Sequence, residues 1–206
     1  MTLLVEFNQF LKEQKEAPGE AKLTVELFDS QCSFYVLNAD IRSVDPLNEK
    51  SYSPSGNTAL YDAIGKAIDE TGTRLAAYEA ESRPAKVIFA ILTDGEENSS
   101  REYDKKKIFD MIKKTRDTLG WEFIYLAAGA EAFKGGADIG MNVSKMALYR
   151  NDNAGNTGTY TATSSYVTSL RSAVDMDQFK EFSMSNNMQA EVNAAVLSEE
   201  NKDPAP

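Results

Sequence analysis

The chain contains no histidine and one cysteine in 206 residues. Without imidazole there is no His-ligated zinc, no Ser-His-Asp triad and no histidine general base. One thiol cannot form an intramolecular disulfide, and Cys32 lies in a strand-like run where it reads as a small hydrophobe. Long apolar runs are also lacking, since no stretch approaches the ~20 residues of a membrane span. The first segment, MTLLVEFNQFLKEQK, has no basic leader ahead of an apolar stretch, so it does not read as a signal peptide. These absences predict a cytoplasmic protein with no membrane partner. Positive charge is scarce as well. The formal net charge of -10 repels phosphate backbones and argues against nucleic acid as a partner. Internal repeats and low-complexity tracts are absent.

What remains is the composition of one globular domain of ordinary size. Leu3, Leu4, Phe7, Phe10 and Leu11 recur at helical spacing, and Pro18-Gly19 ends that helix. KLTVELFD alternates as a half-covered strand, and a turn at Asp29–Gln31 leads to a second strand, CSFYVLN, predicting an antiparallel hairpin. Residues 42–57, with Pro46, Pro54 and Gly56, read as loop. Ala59, Leu60, Ala63, Ile64, Ala67 and Ile68 stripe one helix, for which Thr58 would serve as an N-cap. The six apolar residues Val87–Leu92 predict a strand buried on both faces. Ser99 and Glu102 have capping-box spacing and predict a helix start there, with Gly120 as its stop. WEFIYLAAG predicts a second buried strand, EAFKGGADIG a short helix and NVSKMALYR a further strand. NDNAGNTGT reads as a loop before a helix over 166–174. The division expected is a domain over 1–175 and an acidic, methionine-containing tail over 176–206. That tail is loosely ordered or docked as a helix through Met188, Val192, Val196 and Leu197. Alternating strands and helices predict a Rossmann-like α/β fold. Its doubly wound, mostly parallel sheet carries helices on both faces and one antiparallel edge hairpin.

Two segments then stand out together: PSGNTALYDAIGKAI over 54–68 and VIFAILTDGEENSS over 87–100. A loop ending in Gly-x-Thr-Ala-Leu, a helix opening with Asp-Ala-Ile, and an apolar strand ending in Thr-Asp-Gly resemble von Willebrand factor A domains. The helix EFNQFLKEQK and the run TDGEENSS look closest to stand-alone bacterial and bacteriophage members. The resemblance covers about Leu3 to Val174. It implies a divalent cation, Mg²⁺ or Mn²⁺, at the carboxyl ends of the central strands, held by hard oxygen ligands. By that resemblance Thr58 is the second-loop ligand and Asp94 the third-loop ligand.

The family's first, central strand and its Asp-x-Ser-x-Ser motif are not found before the first helix. Their loss would remove about ten hydrogen bonds worth ~1 kcal/mol each, against a typical stability of ~5–15 kcal/mol. Three explanations follow: a start upstream of the first residue, a strand donated by a partner or a second copy, or direct pairing of the two flanking strands. Donation, with a homodimer as one form of it, or direct pairing is the working expectation.

The function expected is an interaction module that binds a protein partner near Asn57, Thr58, Asp94, Glu96 and Glu97, with or without a bridging cation. The alternative is a small-ligand or nucleotide binder using the same crevice, although neither glycine-rich phosphate motif is present. An enzyme, such as a metal-dependent phosphatase using Asp94, lacks a nucleophile-base pair and is not expected. Each site residue also has a plain structural reading. Asp94 suits a turn, and Glu96 and Glu97 suit a helix N-terminus.

Overall fold

The computed structural model describes residues 2–52 and 56–202, so Pro54 of the predicted loop and the final residues 203–206 lie outside the described part. Two strands come first after helix α1 (Thr2–Glu16): β1 (Lys22–Phe28) and β2 (Cys32–Asp40), paired antiparallel as predicted. Helix α2 (Leu60–Ala76) then leads to β3 (Ile88–Thr93), α3 (Lys105–Leu119), β4 (Glu122–Ala127), α4 (Ala130–Asp138) and β5 (Met146–Leu148). Strands β3, β4 and β5 form a parallel sheet in that order. Three helices close the described chain: α5 (Asn153–Ser172), α6 (Met176–Ser185) and α7 (Met188–Lys202).

The two faces of the parallel sheet are covered by different helices. Phe123 and Tyr125 of β4 pack with Leu60, Ile64, Ile108 and Ile112 from α2 and α3. Ile124 and Leu126 pack on the other face with Tyr166, Leu170, Phe179, Met188 and Val192 from α5, α6 and α7. This alternation makes every residue of β4 buried, as the apolar run Phe123–Ala127 requires, and buried Glu122 accepts from the Tyr166 and Ser183 hydroxyls. Local signals end two helices as expected: α1 stops at Glu16 ahead of Pro18-Gly19, and Gly120 takes the left-handed conformation, φ 67°, after α3.

Several expectations are corrected. The Ser99–Glu102 capping box does not open a helix. Instead α3 starts at Lys105, with the Asp104 carboxylate accepting from the Lys107 N–H, because Glu102 and its neighbours are drawn away to α2. Of NDNAGNTGT, Asn153–Thr159 open α5 and Asp152 caps it. Its glycines allow close approach: a Cβ on Gly158 would lie 2.5 Å from the Val196 side chain of α7. The predicted strand NVSKMALYR is reduced to a three-residue β5. Of the two readings of the segment after 175, α6 and α7 take the docked helical one, with Phe179, Met188 and Val192 buried, while Leu197 remains exposed. Cys32 is half-buried, and burial first, with the Glu26 charge second, pushes its thiol up to about 12.

The largest correction concerns the sheet. β1 and β3 do not pair with each other; the two sheets are separate. Between them lies an open cleft of about 1490 Å³, lined by residues 22–28 on one wall and 87–94 on the other. The single chain neither re-pairs these strands nor fills the gap from its described residues. Accordingly β3 is not buried throughout: Ala90, in the middle of the apolar run, is exposed.

Candidate functional site

The carboxyl ends of β1 and β3 meet at one place, the segment 56–59 that precedes α2. The Ala59 N–H donates to the Asp29 carbonyl just past β1, at 2.6 Å. On the other side, a Cβ on Gly95 would stand 2.5 Å from Thr58 Oγ1, so the Thr58 hydroxyl packs on the turn that follows β3. Strands β1 and β3 therefore run in the same direction, and segment 56–59 crosses the carboxyl end of the cleft.

Tertiary contacts hold this mouth in shape. The Thr58 N–H donates to Asn98 Oδ1 at 2.8 Å and the Asn98 N–H returns to the Thr58 carbonyl at 3.0 Å. The Asn57 N–H donates to Ser30 Oγ. Thr58 is not the N-cap of α2: Ala59 occupies that position and offers no side-chain cap. The orphan donors of the first turn are satisfied from the loop after β3, where Glu97 accepts from the Tyr61 N–H and Ser100 Oγ from the Asp62 N–H. Glu97 also accepts from the Ser99 and Ser100 N–H groups and from Ser100 Oγ. Asp62, buried, returns the contact by accepting from the N–H groups of Arg101, Glu102 and Tyr103. Desolvation pushes the Asp62 carboxyl up, but those three donors together with nearby Lys66 outweigh it and hold the group below its ordinary range.

The predicted residues thus separate into two kinds. Asn57, Thr58 and Asp94 line the cleft at its mouth, with Asn57 and Asp94 exposed, while Glu96 is exposed on the loop after β3. Glu97 faces the other way and ties α2 to the β3 loop. Sequence reasoning missed Asn98, Ser100 and Asp62, whose partners are backbone groups about 40 residues distant; no local spacing could indicate them. It also missed the phenols beside Asp94. Tyr52 and Tyr149 are both pushed up, Tyr149 to about 12, by burial first and then by the Asp94 charge.

The oxygen set implied by the resemblance does not fit a self-sufficient cation site. No group of three or more metal-ligating side chains comes together among the described residues. That set is one hydroxyl, from Thr58, and one carboxylate, from Asp94, against the ~6 oxygens that a hard divalent ion takes.

Deeper in the cleft, Glu26 of β1 has no hydrogen-bond partner for either carboxylate oxygen, and both are buried. Desolvation pushes it up to about 7; Lys66 opposes the shift and Glu70 adds to it. At the amino end the Arg171 guanidinium donates to the Gln14 carbonyl and side chain but leaves Nη2 buried and unpaired. Lys86 lies at that end too, donating to the carbonyls of Arg171 and Ala173 at the close of α5. No helix of the described residues is long and apolar enough to cross a membrane. No protein-family model, no curated protein and no solved structure matches the chain.

Proposed function

We propose that this chain is a protein-interaction module of von Willebrand factor A type with a Rossmann-like sheet. Its partner engages the cleft between β1 and β3 through the mouth at Asn57, Thr58, Asp94 and Glu96. The observation that carries this reading is the open cleft itself, which ends at exposed polar side chains on a framework held by Asn98, Glu97 and Asp62. Rigid support under exposed groups is the arrangement that recognition favours. Read as a small-ligand or nucleotide pocket, the cleft is larger than the ~300–1,000 Å³ usual for such sites, and no glycine-rich phosphate motif occurs in the chain.

The reading is tested by selecting displayed random dodecapeptides on the immobilised protein and measuring the winners against variants. Asn57→Ala, Asp94→Ala and Glu96→Lys are expected to weaken binding by about tenfold each. Lys106→Glu, on the exposed side of α3, is expected to leave binding unchanged. Selection of no peptide, or of peptides indifferent to all three mouth variants, would reject the reading. Repeating the measurements in EDTA and in excess Mg²⁺ or Mn²⁺ addresses the cation. The melting midpoint is expected not to move, because Thr58 and Asp94 supply one hydroxyl and one carboxylate alone. A gain approaching ~2.7 kcal/mol, the linkage at 100-fold over the dissociation constant, would instead make the cation part of the site.

A further inference from the structure

The cleft has features of a vacant strand position, and this inference rests on the reading above. In the β3–β4 ladder the Val87 carbonyl accepts from the Glu122 N–H, and the Thr93 carbonyl from the Ala128 N–H. Successive residues of a strand direct their backbone groups to opposite edges, so the odd-numbered residues of β3 address β4. Ile88, Ala90 and Leu92 therefore direct N–H and C=O into the cleft, where no strand receives them among the described residues. The wall opposite is the free edge of β1, whose other edge is paired with β2. Two strand edges running in the same direction thus face one gap.

Only a polypeptide in extended form presents alternating donors and acceptors to both walls at once. The length is fixed by the seven residues of β1 and the six of β3. Both faces of the gap are covered, by Ala63, Ile64 and Ala67 of α2 on one side and by Phe10, Tyr160 and Val167 of α1 and α5 on the other. An occupant must therefore be apolar on both faces rather than alternating. The ends differ in charge: Lys86 and Arg171 stand at the amino end, Asp29 and Asp94 at the carboxyl end.

We infer that the cleft takes up an extended segment of six or seven residues from a partner polypeptide. The segment is apolar on both faces, acidic at its amino flank and basic at its carboxyl flank, and it runs parallel to β1 and β3. The resulting sheet would have the order β2-β1-segment-β3-β4-β5 and no internal edge.

The probe is a fluorescent peptide, Glu-Glu-Val-Ile-Val-Ile-Val-Ile-Lys-Lys amide, titrated by anisotropy, with backbone hydrogen exchange followed on the same complex. Saturable binding is expected, with exchange at the Ile88, Ala90 and Leu92 amides slowed at least ~10-fold. The peptide with its flanking charges exchanged is expected to bind about tenfold more weakly. Ala90→Pro removes a donor that serves only the cleft and places a ring in the gap, a substitution that edge strands tolerate. It is expected to leave exchange in β4 unchanged and to abolish binding, while Ala90→Ser retains it. Failure of the peptide to bind overturns the inference, as does binding without protection of those amides or equal binding by Ala90→Pro. Protection that grows with protein concentration alone also overturns it, since a second copy would then be the occupant. Selected peptides that still depend on Asn57 and Asp94 under any of these failures would leave the interaction-module reading standing.

Discussion

Strands β3 and β4 have similar compositions, IFAILT and EFIYLA, and lie side by side in register, yet their environments differ. All six residues of β4 are buried, while in β3 two are buried and Ala90 is exposed. The difference is one neighbour. Among the described residues β4 has a strand on each edge and β3 has a strand on one. An apolar run therefore records the position a strand is built for, and burial records whether that position is complete. Here β3 carries the sequence of an internal strand at the edge of a gap.

Paired substitutions put this contrast to the test, and the largest effect belongs to β4. Leu126→Ala, which opens a hole at a fully buried position, is expected to cost ~3–5 kcal/mol in urea unfolding. Leu92→Ala, half-buried beside the cleft, should cost less than half as much, because the vacated space is continuous with solvent. Equal losses would mean that β3 is as enclosed as β4 and that the cleft is shut in solution.

The next effect concerns the mouth, which unlike the gap is tightly bonded. Asp62→Ala leaves three loop N–H groups without their acceptor and is expected to cost ~2–3 kcal/mol. The folded-state value of Asp62 lies below its ordinary 3.8. Its contribution is therefore present above that value and disappears as pH falls through the folded one. A stability profile of Asp62→Ala parallel to that of the parent over this acid range would show that Asp62 does not carry the loop.

The smallest effect belongs to the wall of the gap. Glu26 is pushed up to about 7 from 4.5, so its protonated form favours the folded state. The contribution is complete below 4.5 and is lost as pH rises through about 7. Discounted for solvent reaching this edge, Glu26→Gln is expected to gain about 1 kcal/mol near pH 8, with the advantage vanishing in acid. An advantage independent of pH would show that the carboxylate is hydrated, and the gap wetter at β1 than its unpaired oxygens indicate.

Much of this architecture was legible residue by residue. The KLTVELF and CSFYVLN hairpin, the stripe of α2, the apolar runs of β3 and β4 and the stop at Gly120 are all local patterns, and each forms as read. The failures share a cause. Asn153–Thr159 is helical because small residues let α5 approach α7 and the Arg150 backbone, and composition alone favours a loop there. Ser99 and Glu102 have the spacing of a cap, but Lys66 pairs with Glu102 and Asp62 takes the loop backbone, so the helix starts later. At the site, the sequence indicated Asn57, Thr58 and Asp94, which line one end of the cleft, but not that Glu97 accepts from the first turn of α2, since adjacency in the chain does not say which way a carboxylate turns.

By itself, then, the sequence determined the order and type of most elements, the absence of histidine chemistry and the acidity of the surface, because these depend on composition and on periods of two or about 3.6 residues. Tertiary structure alone decided that β1 and β3 stand apart, which of the two readings the segment after 175 follows, and that the loop after β3 caps α2. Each of these depends on which backbone groups find partners far along the chain, and no local pattern specifies that.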